Sequence, residues 1–393
     1  MLSGSNVLLG ITGSIAAYKA ADLARRLMDE GAKVNVVMTD AACRFITPYT
    51  LESITGNAVH VDLFRDPYCH IHLAAESDLF IIAPATANTI NKLSCGLADN
   101  LLSCLWLAYD GPALMAPAMN FRMYKNRTVQ SNIKNFKKTG VEIIGPAKGS
   151  LACGEEGKGR MSEVSEIVEA AISVMSPHDL TGHKILVTAG PTREQIDPVR
   201  YISNRSSGKM GYALALAAKR RGADVTLVSG PCSVDPPHGV SIVYAETSDD
   251  MEKAVFKHLD KATAVIMSAA VSDFRADLNT KNKLDKNIVK SLKLNKTTDI
   301  LKKLGSRKGK RFLIGFAAES GKNVKRASAK LKEKKLDLMV LNDISQEGAG
   351  FDTDTNIVTL IHKKGDVKDY PIMKKIEVAH IILDCLKKKK GSS

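Results

Sequence analysis

The sequence predicts an α/β protein built from two Rossmann-like domains with mainly parallel sheets. Short apolar stretches alternate with helical patterns through both halves of the 393 residues. Short buried strands separated by helices are typical of a parallel sheet covered on both faces. The alternation pauses at S-P-H-D-L-T-G and then restarts, which favours two domains. We place the domains at 1–177 and 183–386, a linker at 178–182 and a disordered basic tail at 387–393.

The first half contains five strand-like stretches, each apolar and bounded by polar residues: Val7–Ile11, Val34–Met38, Leu79–Ala83, Ala113–Met115 and Val141–Ile144. A helix is predicted over Ile15–Glu30, because its apolar residues fall on one face. The second half contains six more such stretches: Lys184–Thr188, Asp224–Val228, Ile242–Tyr244, Ala264–Met267, Phe312–Phe316 and Leu338–Leu341. We expect an added edge strand at Asn356–Ile361 and a closing helix at Ile372–Leu386.

The net charge of +14 is concentrated in one segment. From Arg275 to Lys335 there are 20 Lys and Arg against 5 Asp and Glu. Such an excess favours nucleic acid, an anionic membrane or phosphorylated small molecules as partners. The segment has only two aromatic residues for base stacking, which argues against nucleic acid. No apolar run approaches the ~18 residues that span a bilayer, so no membrane partner is expected.

Cysteine usage favours a reducing compartment. The seven cysteines form no C-x-x-C pair, so neither a zinc site nor a disulfide framework is indicated. The chain opens on a strand-like stretch without the features of a signal peptide. We therefore expect a cytoplasmic protein.

A long connection follows the strand at Lys184–Thr188, and its length favours a functional loop. It ends in S-S-G-K-M-G at the start of a helix, where free N–H groups and the helix dipole favour anions, with Lys209 alongside. It is not a Walker A loop, because G-x-x-x-x-G-K-[ST] is absent. A polar loop with a helix cap fits the same residues equally well.

Small polar residues end several strands of the first half. Gly13 and Ser14 lie in a turn without the full G-x-G-x-x-G spacing, so a single phosphate fits better than a dinucleotide. Thr39, Thr86 and Asn88 suit hydrogen bonds to a flavin or nucleotide, although the last two are also ordinary helix caps.

Three further side chains are candidates for chemistry in the first half. His70 lies in C-H-I-H-L, where one catalytic histidine is favoured over a metal pair with His72. Asn120 follows the strand at Ala113–Met115 and is expected in the same crevice. Cys153 lies among glycines that suit a mobile lid carrying a proton donor. The alternative is a small buried cysteine.

Five motifs occur in order along the first half: G-S-I-A, H-I-x-L, A-T-A-N, P-A-M-N-x-x-M and A-C-G-E-x-G-x-G-R-M. In this order they resemble the homo-oligomeric flavin-containing cysteine decarboxylases. The loop G-P-T-R-E-x-x-D-P-V-R-x-I-x-N-x-S-S-G-K-M-G resembles that of phosphopantothenate–cysteine ligases. Nearly the whole chain therefore resembles the bifunctional phosphopantothenoylcysteine decarboxylase/phosphopantothenate–cysteine ligases of bacterial coenzyme A synthesis.

The resemblance implies a flavodoxin-like flavoprotein fold in the first domain, with FMN held by Gly13, Ser14, Thr39, Thr86 and Asn88. It also implies three roles in decarboxylation. His70 serves the oxidative step, Asn120 binds the substrate carboxylate, and Cys153 protonates the enethiolate during its reduction. His72 receives no role.

In the second domain the resemblance implies that Asn204 helps to convert an acyl-cytidylate. Lys283 would stabilise the transferring phosphoryl group, with Lys281 and Lys286 as rivals because Asp285 departs from the family pattern. Asp273 would bind the nucleotide or its Mg²⁺, unless it merely caps a strand end. The positions implied for CTP are Asp273, Lys283, Thr298, Asp299, Ile300, Leu301, Phe316, Lys330 and Lys334.

The implied activity is ligation of cysteine to 4'-phosphopantothenate with CTP, followed by FMN-dependent decarboxylation to 4'-phosphopantetheine. The resemblance further implies a homo-oligomer, a dodecamer of trimeric flavin domains and dimeric ligase domains. The alternative is a nucleotide-dependent oxidoreductase with two dinucleotide-binding folds. Against it, neither half has a complete G-x-G-x-x-G, and the nearest acidic ribose reader is Asp40.

Overall fold

The alternating patterns fold into two α/β units in the computed structural model, which describes residues 2–150, 155–277, 282–284, 291–319, 321–346 and 348–387. The units are Met1–Ser176 and Pro177–Ser393. The residues predicted as a linker, 178–182, belong to the second unit, where Leu180 is fully buried. Of the predicted tail, only Lys387 lies within the described residues. Among all described residues, no helix is both long and apolar enough to cross a membrane.

The first unit is built on a six-stranded parallel sheet, and the predicted parallel α/β class is confirmed. Its strands are β1 (Asn6–Ile11), β2 (Lys33–Met38), β3 (Val59–His60), β4 (Leu79–Ala85), β5 (Ala113–Pro117) and β6 (Glu142–Ile143). The order across the sheet is β3-β2-β1-β4-β5-β6. A separate antiparallel hairpin consists of β7 (Ala147–Ser150) and β8 (Glu156–Arg160).

Helices cover both faces of this sheet, and most of them bury apolar residues in one of two clusters against it. They are α1 (Lys19–Asp29), α2 (Asp40–Cys43), α3 (Pro48–Thr55), α4 (Cys69–Glu76), α5 (Ala87–Ser94), α6 (Leu101–Ala108), α7 (Phe121–Lys125), α8 (Arg127–Lys138) and α9 (Val164–Val174). On α1, Leu23 and Leu27 are fully buried. The helix predicted over Ile15–Glu30 begins instead as a 3₁₀ turn, Ile15–Tyr18, because Ser14 caps Ala16 and tightens the first turn.

The second unit contains an eight-stranded mixed sheet, ordered β13-β12-β9-β14-β17-β18-β20-β21. Its strands are β9 (Lys184–Ala189), β12 (Asp224–Ser229), β13 (Ser241–Tyr244), β14 (Ala264–Met267), β17 (Phe312–Glu319), β18 (Leu338–Asp343), β20 (Val358–His362) and β21 (Val367–Asp369). The first six are parallel, and the last two are antiparallel to their neighbours. The strand predicted at Asn356–Ile361 is largely present as β20. The prediction that it forms the edge of the sheet is wrong, because β20 lies between β18 and β21, and β21 forms the edge.

Short strand pairs and helices complete the described part of this unit. The pairs are β10 (Arg193–Gln195) with β11 (Tyr201–Ser203), β15 (Phe274–Ala276) with β16 (Leu294–Lys296), and β19 (Thr355–Asn356) with β22 (Met373–Lys374). The helices are α10 (Lys209–Arg220), α11 (Ser248–Leu259), α12 (Ile300–Ser306), α13 (Val324–Glu333) and α14 (Lys375–Asp384). The long connection after β9 thus contains the hairpin β10–β11 rather than loop alone.

Helix α10 packs very close to strand β9 at Gly211. An added Cβ there would lie 2.5 Å from the Cβ of Ala189 and 2.9 Å from the carbonyl oxygen of Thr188. Only glycine allows this approach, which brings the N-terminus of α10 to the end of β9.

In each main sheet the order of the parallel strands reverses once. The reversal lies between β1 and β4 in the first unit and between β9 and β14 in the second. At such a switch point the two neighbouring connections leave on opposite faces, so a crevice opens beyond the carboxyl ends of the strands. The fold therefore places one crevice in each unit.

Candidate functional site

A cavity of about 520 Å³ lies at the switch point of the first unit. All five residues predicted to hold the cofactor line it: Gly13, Ser14, Thr39, Thr86 and Asn88. They follow β1, β2 and β4, so the ends of three adjacent strands converge there. The volume is that of an ordinary cofactor pocket.

Three hydroxyl groups in this cavity cap short helices. Ser14 Oγ accepts from Ala16 N, Thr39 Oγ1 from Ala42 N, and Thr86 Oγ1 from Thr89 N, each at 3.3 Å. Thr86 therefore caps helix α5, as the alternative interpretation of this residue predicted. This capping does not exclude a ligand, because the same helix N-termini attract phosphate.

Thr12 was missed by the sequence reading. Its buried hydroxyl donates to Pro84 O at 2.7 Å and accepts from Thr86 N at 3.1 Å, which joins the ends of β1 and β4 under the cavity. A threonine directly after a buried strand is the signal that could have identified it.

His70 and Asn120 are not among the residues that line this cavity. His70 lies on α4, and its buried Nδ1 atom has no hydrogen-bond partner among the described residues. Asn120 caps α7, with Oδ1 accepting from Arg122 N at 2.8 Å, and its Nδ2 lies 3.4 Å from Glu155 Oε2. Cys153 falls outside the described residues.

A cavity of about 830 Å³ lies at the switch point of the second unit. It is lined by every predicted ligase residue except Lys283: Asn204, Asp273, Thr298, Asp299, Ile300, Leu301, Phe316, Lys330 and Lys334. Residues 206–211, at the start of α10, line it too. Separate stretches of the chain thus meet in one place.

Each of the two predicted triphosphate lysines has a carboxylate partner. Lys330 Nζ lies 2.7 Å from Glu319 Oε1, and Lys334 Nζ lies 2.8 Å from Asp299 Oδ2. Partial burial opposes ionisation of Asp299, but the hydrogen bonds from Lys334 and from Lys302 N outweigh it and lower its pKa. These ion pairs hold both ammonium groups at the cavity.

Asn204 links the long connection to the end of β14. Its Nδ2 donates to Val271 O at 2.9 Å, with Ala270 O at 3.4 Å. The side chain is therefore held beside the stretch that carries Asp273.

Asn342 and Lys375 are two further polar residues that line the cavity. Asn342 is buried, and within the described part of the chain its Oδ1 has no hydrogen-bond partner. Lys375 is a buried cation whose Nζ donates to the carbonyl oxygens of Gly350, Phe351 and Thr353. The family resemblance of the strand-end motif N-D-I-S implies that Asn342 lies at the edge of the site, whereas nothing in this lysine-rich sequence singles out Lys375.

Lys283 is exposed and does not line the cavity, while its rivals Lys281 and Lys286 fall outside the described residues. Asp273 is exposed as well. Within the described ranges, no group of three or more His, Cys, Asp or Glu side chains could hold a metal ion. The tentative Mg²⁺ site at Asp273 stays a prediction.

Comparison with known proteins gives two family matches. The Flavoprotein family matches residues 1–176, and the DNA/pantothenate metabolism flavoprotein C-terminal domain matches residues 180–389. The coenzyme A biosynthesis bifunctional protein CoaBC of Bacillus subtilis (strain 168) is 44% identical over 392 residues, 98% of this chain and 97% of that protein. The chain belongs to the family of coenzyme A biosynthesis bifunctional proteins CoaBC.

The coenzyme A biosynthesis bifunctional protein CoaBC of Escherichia coli (strain K12) is 43% identical over 394 residues, 98% of this chain and 97% of that protein. A crystal structure of the C-terminal domain of a CoaBC protein is 44% identical, covers 53% of this chain and 96% of its own, and has a TM-score of 0.46. The family membership confirms the bifunctional enzyme of coenzyme A biosynthesis predicted from the motifs. The oxidoreductase with two dinucleotide-binding folds is not favoured.

Proposed function

We propose that the second unit joins cysteine to 4'-phosphopantothenate with CTP, and that the first unit decarboxylates the product with FMN. The observation that carries the proposal is the convergence of the predicted nucleotide residues on one switch-point cavity. These residues come from the connection after β9, the end of β14, the start of α12, strand β17 and helix α13.

Ligation divides into two steps that the cavity residues support. A carboxylate oxygen of phosphopantothenate attacks the α-phosphorus of CTP, and pyrophosphate leaves. Lys330 and Lys334 neutralise the triphosphate, a role that positioning and charge alone can fill. The half-buried ring of Phe316 packs on the pyrimidine. Asp273 would hold Mg²⁺ at the cavity, and the ion would neutralise charge on the phosphate groups.

In the second step the amine of cysteine attacks the acyl carbon, and CMP leaves with the bonding electrons. Asn204 acts here, because its amide is held at the strand end by Val271 O. The second N–H of that amide donates to Ala270 O at 3.4 Å, and it would exchange this long bond for the oxygen that gains charge.

The first cavity fits FMN. Hydroxyl groups at three helix N-termini line it and suit the phosphate. When bound, FMN would supply the oxidation of the cysteinyl thiol, which provides a sink for the electrons left behind as CO₂ departs, and in its reduced form the hydride that reduces the resulting enethiolate. His70 would serve the oxidative step, Asn120 would bind the substrate carboxylate, and Cys153 would protonate the enethiolate during its reduction.

We further propose that the protein works in the cytoplasm as a homo-oligomer, a dodecamer of trimeric flavin units and dimeric ligase units. The support is the family resemblance. Size measurement in solution tests it, and a monomer under assay conditions would contradict it.

The test of function is product identification. Purified protein receives 4'-phosphopantothenate, cysteine, CTP and Mg²⁺, and mass spectrometry follows the products. We expect 4'-phosphopantothenoylcysteine, CMP and pyrophosphate, then 4'-phosphopantetheine and CO₂. A Lys330→Ala, Lys334→Ala double variant should lose ligation and keep decarboxylation of added 4'-phosphopantothenoylcysteine. Ligation at the wild-type rate by that variant, or no CTP consumption by the wild type, would refute the assignment.

A further inference from the structure

The turn between β10 and β11 contains a buried carboxylate with more hydrogen bonds than a turn requires. The side chain of Asp197 is 0% exposed. Its Oδ1 accepts from Val199 N and Arg200 N, both at 2.8 Å, which closes the turn. Its Oδ2 accepts from Arg200 Nε at 2.8 Å and from Arg200 NH2 at 2.5 Å.

The second oxygen also reaches a distant part of the chain. Asp197 Oδ2 accepts from Leu284 N at 3.1 Å, and Arg200 NH2 donates to Leu284 O at 2.7 Å. One Asp–Arg pair therefore binds both backbone polar groups of a single residue. We call this arrangement, Asp197 and Arg200 on Leu284, the backbone clamp.

The clamp adjoins the lysine predicted to act on the transferring phosphoryl group. The N–H of Leu284 belongs to the peptide that joins it to Lys283, so holding that N–H fixes the carbonyl end of Lys283. The Lys283 side chain is exposed and does not line the cavity. To act on the phosphoryl group, Lys283 must extend its flexible side chain towards the cavity. The reach of its ammonium group then depends on where its backbone is held.

The charge of Asp197 is maintained by the same contacts. Hydrogen bonds from Arg200, and from the backbone N–H groups of Val199, Leu284 and Arg200, hold the pKa of its carboxyl well below the usual range. The clamp is thus closed throughout the pH range of a cytoplasmic enzyme.

We propose that Asp197, acting with Arg200, is a positioning residue for acyl-cytidylate formation, because the backbone clamp sets the point from which Lys283 reaches the phosphoryl group. This inference rests on the proposed ligase function and on the proposed role of Lys283. Misplacing a catalytic group by about 1 Å costs on the order of 10²-fold in rate.

The test separates the two half-reactions in the full-length protein. Asp197→Asn should lower the single-turnover rate of pyrophosphate release from CTP and phosphopantothenate by on the order of 10²-fold. Aminolysis of supplied acyl-cytidylate by cysteine should keep the wild-type rate. Val199→Ala is the matched control, because it lies in the same turn and its backbone N–H stays in place.

A double-variant cycle shows whether Asp197 acts through Lys283. If it does, Asp197→Asn should add no further loss to Lys283→Ala, whereas independent effects would multiply. Equal slowing of both half-reactions, or a multiplied loss in the double variant, would overturn the proposal. A wild-type protein that releases no pyrophosphate would instead refute the proposed function.

Discussion

The close approach of α10 to β9 gives a prediction for Gly211→Ala. The added methyl group would lie 2.5 Å from Ala189 Cβ and 2.9 Å from both Ala189 Cα and Thr188 O. Carbon atoms in contact normally lie about 3.5–4.0 Å apart. The start of α10 must therefore move away from β9 by roughly 1 Å, since backbone atoms on both sides leave no softer adjustment.

Two energies decide the size of the effect. Overpacking of this kind costs about 1–3 kcal/mol. Alanine in place of glycine in a helix returns roughly 0.5–1 kcal/mol. The difference spans about 0–2.5 kcal/mol with a midpoint near 1 kcal/mol. For a unit of this size a loss of about 1 kcal/mol lowers the melting temperature by roughly 2–4 °C. Because residues 206–211 line the cavity, the KM for CTP should also rise.

Calorimetry on the full-length protein measures the melting of the second unit, and ligation assays give the KM. Gly350→Ala is the matched control for stability, because its added methyl group would meet no atom nearer than Thr353 Cγ2 at 3.8 Å. A Gly211→Ala protein that melts at or above the wild-type temperature would refute the steric reasoning.

Three further predictions concern separate parts of the chain. Gly13→Ala places a methyl group 2.5 Å from the Cβ of Ala41, so the purified protein should carry less flavin per chain by visible absorbance; full occupancy would contradict this. Asn204→Ala should accumulate acyl-cytidylate, detectable by mass spectrometry, and normal ligation without it would exclude the proposed role. Partial burial opposes ionisation of Asp179, but its hydrogen bonds to Arg221 and Lys387 outweigh this and lower its pKa from 3.8 to about 2. Because the folded-state pKa lies below the unfolded one, this stabilisation is complete above about pH 4 and is lost as the pH falls towards 2. Asp179→Asn should remove that dependence and about 1 kcal/mol at neutral pH, after solvent screening; acid unfolding curves that coincide with those of the wild type would count against it.

The parallel sheets could be predicted because buried strands are recognisable in the sequence as short apolar runs between helices. Leu79–Ala83 was predicted from such a run, and the strand extends only two residues further, to Ala85. The position of a strand within its sheet was harder to predict. Strand β20 was predicted at the edge of the sheet, because the neighbouring strand β21 is short and exposed and has no apolar run in the sequence.

The candidate sites were predicted where polar residues follow strands directly, as Thr39 and Thr86 do. Contacts between residues far apart in the chain have no comparable local sequence pattern. The Arg200–Leu284 hydrogen bond spans 84 residues, and no local spacing encodes it. Lys375 likewise serves the cavity through carbonyl groups of a remote turn.

The carboxylate partners of Lys330 and Lys334 determine how these two lysines meet a phosphate. Because each ammonium group is paired with a carboxylate, a phosphate chain that binds them must displace Glu319 and Asp299. A compact triphosphate that reaches both lysines together exchanges two ion pairs in one event, so the spacing of the two lysines in the cavity adds a selection that the net charge of the chain does not supply.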